Sequence, residues 1–189
     1  MKVSVAIATY NRAPYIRQAI DSVLNQTMTD FEIIVIDDGS TDNTVAVIAD
    51  YRDRIRYVRT GNGGPARARN VGMAMARGEY ICWLDSDDFF HPAKLALQSA
   101  VLDAHPDVAM VCTECSGFDD HGAWFEYHLQ DYHASAYRRG GVAYDVLFDR
   151  ATPIGQVAAL RATLPDGSDW GDRELARSLE CGPTRRHHD

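Results

Sequence analysis

The apolar positions of this chain fall into two alternating patterns over its first hundred or so residues. Residues 3–8 form a short β-rich run. Asn11 then reads as the cap of a helix with Pro14 in its first turn, and Ile16, Ala19, Ile20, Val23 and Leu24 recur at helical spacing on one face. Residues 31–36 are almost unbroken in apolar character, the mark of a strand buried on both faces of a parallel sheet. Thr41 and Asp42 are placed to cap a second helix with Val45 and Ile48 inward, and residues 55–58 predict a third strand. A glycine-rich loop, residues 61–65, feeds a helix over 66–76. Gly78 ends it, residues 80–84 predict a fourth strand, Pro92 opens a helix reaching about His105, and 108–113 predict a fifth strand.

The order is β-α-β-α-β-α-β-α-β, so the fold class is α/β: an open, mostly parallel sheet flanked by helices. After about Gly117 the periodicity degrades. Aromatics and histidines scatter over residues 118–137, residues 142–148 make one short helix or strand, and residues 181–189 have little core-forming character and are expected to fray. The organisation read from this is a ligand-binding region over 1–115, a short atypical region of the same domain over 116–180, and a tail over 181–189.

Composition narrows the classes. The chain has 189 residues, 46% hydrophobic and 24% charged, as expected of one globular domain. A net charge of −8 argues against nucleic acid as a partner, which would call for a basic stripe. No stretch approaches the ~20 apolar residues of a membrane span, so no transmembrane segment is expected. Cys82, Cys112, Cys115 and Cys181 are too sparse for a disulfide framework, and the lone Cys112-x-x-Cys115 has no second pair at zinc-site spacing. Reduced thiols fit a cytoplasmic location, with peripheral attachment to the inner face of a membrane left open.

Ligands of open α/β sheets bind beyond the carboxyl ends of the strands. Strand one ends in Thr9-Tyr10-Asn11, strand two in Asp37-Asp38, and strand four in Asp85-Ser86-Asp87-Asp88; strand three leads to the glycine loop, Arg67 and Arg69. Up to five carboxylates therefore gather at one end of the sheet, and repulsion among them calls for a cation or hydrogen-bond donors. Asp-x-Asp suits Mg²⁺ or Mn²⁺, which takes a few carboxylates and completes its shell with substrate phosphate oxygens. Any one of these features alone is equally a turn or a helix cap; it is their convergence that argues for a site. Tyr10 offers a flat face to a base, Asp38 an acceptor for a pyrimidine N–H, and the glycine loop backbone N–H groups for phosphate.

These same segments carry a resemblance. Val3-Ser4-Val5 through Tyr10-Asn11, Ser22-Val23-Leu24-Asn25-Gln26-Thr27, Phe31 through Asp37-Asp38-Gly39-Ser40-Thr41-Asp42, Ala68-Arg69-Asn70-Val71-Gly72 and Gly78-Glu79-Tyr80-Ile81 through Asp85-Ser86-Asp87-Asp88 resemble, in order and spacing, the inverting GT-A glycosyltransferases of family 2 over about residues 1–115. The resemblance implies a GT-A, Rossmann-like fold and transfer of a sugar from a nucleotide-diphosphate donor, most commonly UDP-linked, to an acceptor hydroxyl with inversion. The acceptor class stays open among saccharide, lipid-linked saccharide and protein. By position it implies a nucleotide site of Thr9, Tyr10, Asn11, Asp38, Arg69, Asp85 and Ser86, with Tyr10 stacking on the base and Asp38 recognising it. It places the Mn²⁺ or Mg²⁺ cofactor at Asp85 and Asp87.

The chain departs from the family's pattern in its second half. The expected Glu-Asp pair before an aromatic and a helix is matched only by Ser168-Asp169-Trp170, which lacks the Glu. Asp169 is the candidate catalytic base that deprotonates the acceptor. Two other readings remain: a nucleotide-sugar-binding module with weak or no catalysis, and a sugar nucleotidyltransferase, whose glycine-rich basic signature near the N-terminus is missing. His187 and His188 are read as exposed terminal residues.

Overall fold

The structure, a computed structural model, describes residues 1–113, 115–118, 124–127 and 158–161. Its elements are β1 (Val3–Thr9), α1 (Ile16–Leu24), β2 (Phe31–Asp37), α2 (Thr44–Ala49), β3 (Arg56–Arg59), α3 (Pro65–Met75), β4 (Tyr80–Asp85), α4 (Lys94–Ala104), β5 (Met110–Cys112), β6 (Cys115–Phe118), β7 (Trp124–Tyr127) and β8 (Ala158–Arg161). The main sheet runs β3-β2-β1-β4-β8-β5, and β6 pairs with β7 as a separate two-stranded ribbon.

The parallel part is β3-β2-β1-β4. β8 inserts antiparallel between β4 and β5, so β5 points the same way as β4. The expected α/β class and mostly parallel sheet hold. β8 went unread because Ala158-Ala159-Leu160 is too short to carry a periodicity.

Alternation along the parallel strands divides the core. Val3, Val5 and Ile7 of β1, with Ile33 and Val35 of β2, pack against Ile16, Ala19, Ile20 and Val23 of α1 and Leu95 and Leu102 of α4. The other face carries Ala6, Ile34 and Ile36 against Ala68 of α3. Helix α3 lies close on that face because Gly72 allows it: a Cβ there would come within 2.9 Å of Ile36 Cδ1 and 3.0 Å of Ala6 Cβ.

Helix starts differ from those read in the pattern. Helix α1 begins at Ile16 behind a turn that contains Pro14, and no side chain caps it. Asn11 is not its cap. It holds φ at 52°, a left-handed conformation that Asn tolerates, and its Oδ1 instead accepts the backbone N–H groups of Thr41 (2.8 Å) and Asp42 (3.3 Å). Helix α2 begins at Thr44, whose N–H is taken by Asp42 Oδ1 at 3.0 Å. Helix α4 starts at Lys94, two residues past Pro92.

Because β1 sits centrally with β2 on one side and β4 on the other, the chain reverses its winding direction between β1 and β4. In open α/β sheets ligands bind beyond the carboxyl ends of the strands at such a switch point. Register places Ala8 of β1 beside Asp85 of β4, and Thr9 beside Asp37 of β2.

Candidate functional site

The segment after β1 is pinned to the segment after β2. The N–H of Asn11 donates to Ser40 Oγ at 2.9 Å, that of Arg12 to Thr44 Oγ1 at 3.0 Å, and that of Ala13 to Asp42 Oδ2 at 3.2 Å. The bend at Asn11 and these ties leave Tyr10 just past the carboxyl end of β1, 43% exposed. A large aromatic ring held half in water at a strand end is available to a ligand. Thr9 lies behind it, buried, with an Oγ1 that has no hydrogen-bond partner.

Asp37 and Asp38 do not share one role. Asp37 is fully buried; it accepts from Ser40 N–H at 2.8 Å and Tyr57 O–H at 3.0 Å, with Arg59 Nε at 3.5 Å. Asp38 is 3% exposed and accepts Thr60 Oγ1–H at 2.9 Å, Gly63 N–H at 3.0 and 3.1 Å to its two oxygens, and Gly64 N–H at 2.7 Å. The glycine loop's donors are thus turned onto Asp38. Gly64 takes φ 87°, which a side chain would resist, as it leads into Pro65 at the start of α3.

Helix α3 in turn delivers Arg69, whose Nη2 meets Asp85 Oδ1 at 2.7 Å. The turn after β4 presents Asp87 to Arg12, Nε to Oδ2 at 3.2 Å, while Ser86 between the two aspartates is buried. Asp88 is set deeper. Burial, and then the charges of Asp87 and Asp85, push its carboxyl up to about 6, and its Oδ2 is buried with no hydrogen-bond partner.

The structure therefore brings Tyr10, Arg69, Asp85, Ser86 and Asp87 to the carboxyl end of the sheet, where Thr9, Asn11 and Asp38 also lie. Asp169, His187, His188 and Cys181 lie outside the described residues. Arg12 was missed in the sequence, where one arginine in a loop carries no signal; only the fold carries it across to Asp87. Cys82 is a buried free thiol pushed up to about 12 by burial, remote from nucleophilic chemistry.

Among the described residues no group of three or more His, Cys, Asp or Glu side chains is arranged to hold a metal ion alone. Two carboxylates and a partnerless buried oxygen beside them suit a cation that completes its shell with ligand oxygens, as Mg²⁺ and Mn²⁺ do. No described helix is long and apolar enough to cross a membrane.

The sequence profile described as glycosyl transferase family 2 matches residues 4–152, further along the chain than the resemblance reached. An uncharacterized glycosyltransferase of Rickettsia typhi is 43% identical over 112 residues, 58% of this chain and 35% of its own length. The poly(ribitol-phosphate) beta-N-acetylglucosaminyltransferase TarS of Staphylococcus aureus is 36% identical over 118 residues, 59% of this chain and 21% of its own. Among solved structures, TarS 1–349 in complex with UDP superposes with a TM-score of 0.59 at 32% identity, over 65% of this chain and 38% of that one. The mannosyltransferase PcManGT of Pyrobaculum calidifontis, in complex with GDP-Man and Mn²⁺, superposes with a TM-score of 0.62 at 25% identity, over 97% of this chain and 48% of that one. The chain thus spans about a third or less of the length of these two sequence relatives and under half of the solved chains.

Proposed function

The chain belongs to glycosyl transferase family 2, and from that premise we propose that it carries out metal-dependent transfer of a sugar from a nucleotide-diphosphate donor, UDP-linked by preference, to an acceptor hydroxyl with inversion. The observation that carries this reading is an exposed Tyr10 and an undercompensated acidic turn, Asp85 to Asp88, at the carboxyl ends of the adjacent strands β1 and β4. The aromatic ring takes the base. Asp85 and Asp87 would hold Mn²⁺ or Mg²⁺, which when bound offsets charge developing on the departing phosphate. Arg69 adds a fixed positive charge at the diphosphate side, and Asp38 holds the glycine loop and α3 so that Arg69 stays in place. Asp169 is the proposed base for the acceptor hydroxyl.

A screen of nucleotide sugars with Mn²⁺ and Mg²⁺, run on the wild type and Asp87→Ala, tests the proposal. Donor turnover by the wild type and its loss in the variant are expected; full activity of Asp87→Ala in the presence of metal would overturn the metal assignment. The lack of a Glu before Asp169 favours a second reading, a donor-binding module without catalysis. Calorimetric binding of UDP with Mn²⁺ but no donor hydrolysis or transfer would select it.

A further inference from the structure

Arg12 is assigned no role by the family resemblance, yet its guanidinium is the partner of Asp87. The contact is built. Asn11 turns the chain with a left-handed φ, Arg12 N–H is tied to Thr44, and the side chain reaches Asp87 from 75 residues away in sequence. The contact is also loose: Nε meets Oδ2 at 3.2 Å, Nη1 donates to Asn11 O at 3.3 Å, and Nη2 has no hydrogen-bond partner among the described residues. Both side chains are nearly half exposed, so the pair adds little to stability.

Charge counting gives it a different use. The acidic turn holds Asp85, Asp87 and Asp88, and two guanidinium groups, Arg12 and Arg69, stand against it. A divalent cation on Asp85 and Asp87 draws on the same carboxylate that Arg12 Nε contacts through Oδ2. It also leaves that guanidinium surplus beside a ligand that brings a diphosphate.

We propose that Arg12 is an exchangeable counter-ion of the acidic turn, which neutralises Asp87 before the cation arrives and transfers to the donor's diphosphate once the cation has taken Asp87. This rests on the reading of Asp87 as a metal ligand. Arg12 and the cation then compete for one carboxylate while Arg12 and the diphosphate attract, so the two couplings have opposite signs.

The test is Mn²⁺ binding, read by electron paramagnetic resonance, and UDP and GDP binding at saturating Mn²⁺, read by calorimetry, on the wild type, Arg12→Ala, Arg12→Lys and Asp87→Ala. Arg12→Ala is expected to bind Mn²⁺ alone about two- to fivefold more tightly, the range an exposed ion pair allows. It is expected to bind the preferred nucleotide about tenfold more weakly, as for loss of a charge-assisted hydrogen bond. Arg12→Lys falls between, and melting temperatures stay together. A role in folding alone would move both affinities the same way or neither. Unchanged or weaker Mn²⁺ binding in Arg12→Ala, or unchanged nucleotide binding, overturns the exchange. If Asp87→Ala binds Mn²⁺ like the wild type, the reading of Asp87 as a ligand fails, and the exchange with it.

Discussion

Glu32 and the Asp85–Asp88 turn, at opposite ends of the parallel strands, are partnered in opposite ways. At the amino end, Glu32 is buried with three donors turned onto it: Ser4 Oγ–H at 2.7 Å, Arg77 N–H at 2.8 Å and Arg56 Nη1 at 2.8 Å. Burial alone pushes its carboxyl up, but Arg56, Ser4 and the Arg77 N–H outweigh that and hold it below the ordinary glutamate value. Gly78 closes the network, with a site for Cβ only 2.5 Å from the Ser4 nitrogen. At the carboxyl end, Asp85 and Asp87 each lean on a half-exposed arginine, and Asp88 keeps a partnerless oxygen. A satisfied buried carboxylate is architecture; a cluster left short of positive charge at a topological switch point is a candidate place for a ligand.

The contrast can be broken from either side. The largest effect belongs to Asp87→Ala: transfer falls by about a thousandfold or more, the scale of several kcal/mol of charge stabilisation. Its melting temperature stays near that of the wild type, because the Arg12 contact is exposed. Glu32→Ala does the reverse. Arg56 keeps Met75 O and the Arg77 N–H keeps Ser4 Oγ as acceptors, but loss of the buried carboxylate that joins them costs about 2–4 kcal/mol, or roughly 5–15 °C in Tm, while nucleotide affinity of the folded protein is unchanged. Differential scanning calorimetry beside calorimetric UDP titration checks both; a variant that lost stability and affinity equally would erase the distinction.

Asp38 sharpens the comparison, since it sits at the site end yet is satisfied like Glu32. Asp38→Asn loses an acceptor for the glycine loop, at about 1–3 kcal/mol. If Asp38 acts only through the loop, UDP and GDP affinities fall by the same factor; a change in their ratio would show that it also reads the base. Tyr10→Ala leaves Tm unchanged and weakens nucleotide binding by about 1 kcal/mol or somewhat more, the value of one stacking face. The smallest effect is in pH. A carboxylate held below its ordinary value of 4.5 in the folded chain contributes fully above that value, and its contribution is lost as pH falls through the folded pKa. The stability gap between the wild type and Glu32→Gln should therefore narrow from pH 6 to pH 3.5, measured by urea midpoints; a constant gap would assign the stabilisation to packing instead.

Much of the frame was legible in the chain itself. The buried run of β2 and the helical spacing of Ile16, Ala19, Ile20 and Val23 name their elements because burial on one face or two leaves a periodicity. Helix starts were less legible, since Asn11 and Asp42 are as able to bind a neighbouring loop as to cap a helix, and the fold used Asn11 for the loop. The strand ends identified Tyr10, Asp85 and Asp87 as candidates because strand order in an α/β sheet dictates where loops converge.

By itself, then, the sequence determined the class of fold, the family, and the residue types gathered at the carboxyl end of the sheet, all consequences of local pattern and spacing. Only the tertiary structure decided how each of those carboxylates is partnered. Asp38 is occupied by donors 22 to 26 residues away, Asp37 by Tyr57 20 residues away, and Asp87 is shared with Arg12 across 75 residues. Hydrogen-bond saturation depends on which distant groups the packing brings within about 3 Å, and no local pattern encodes that.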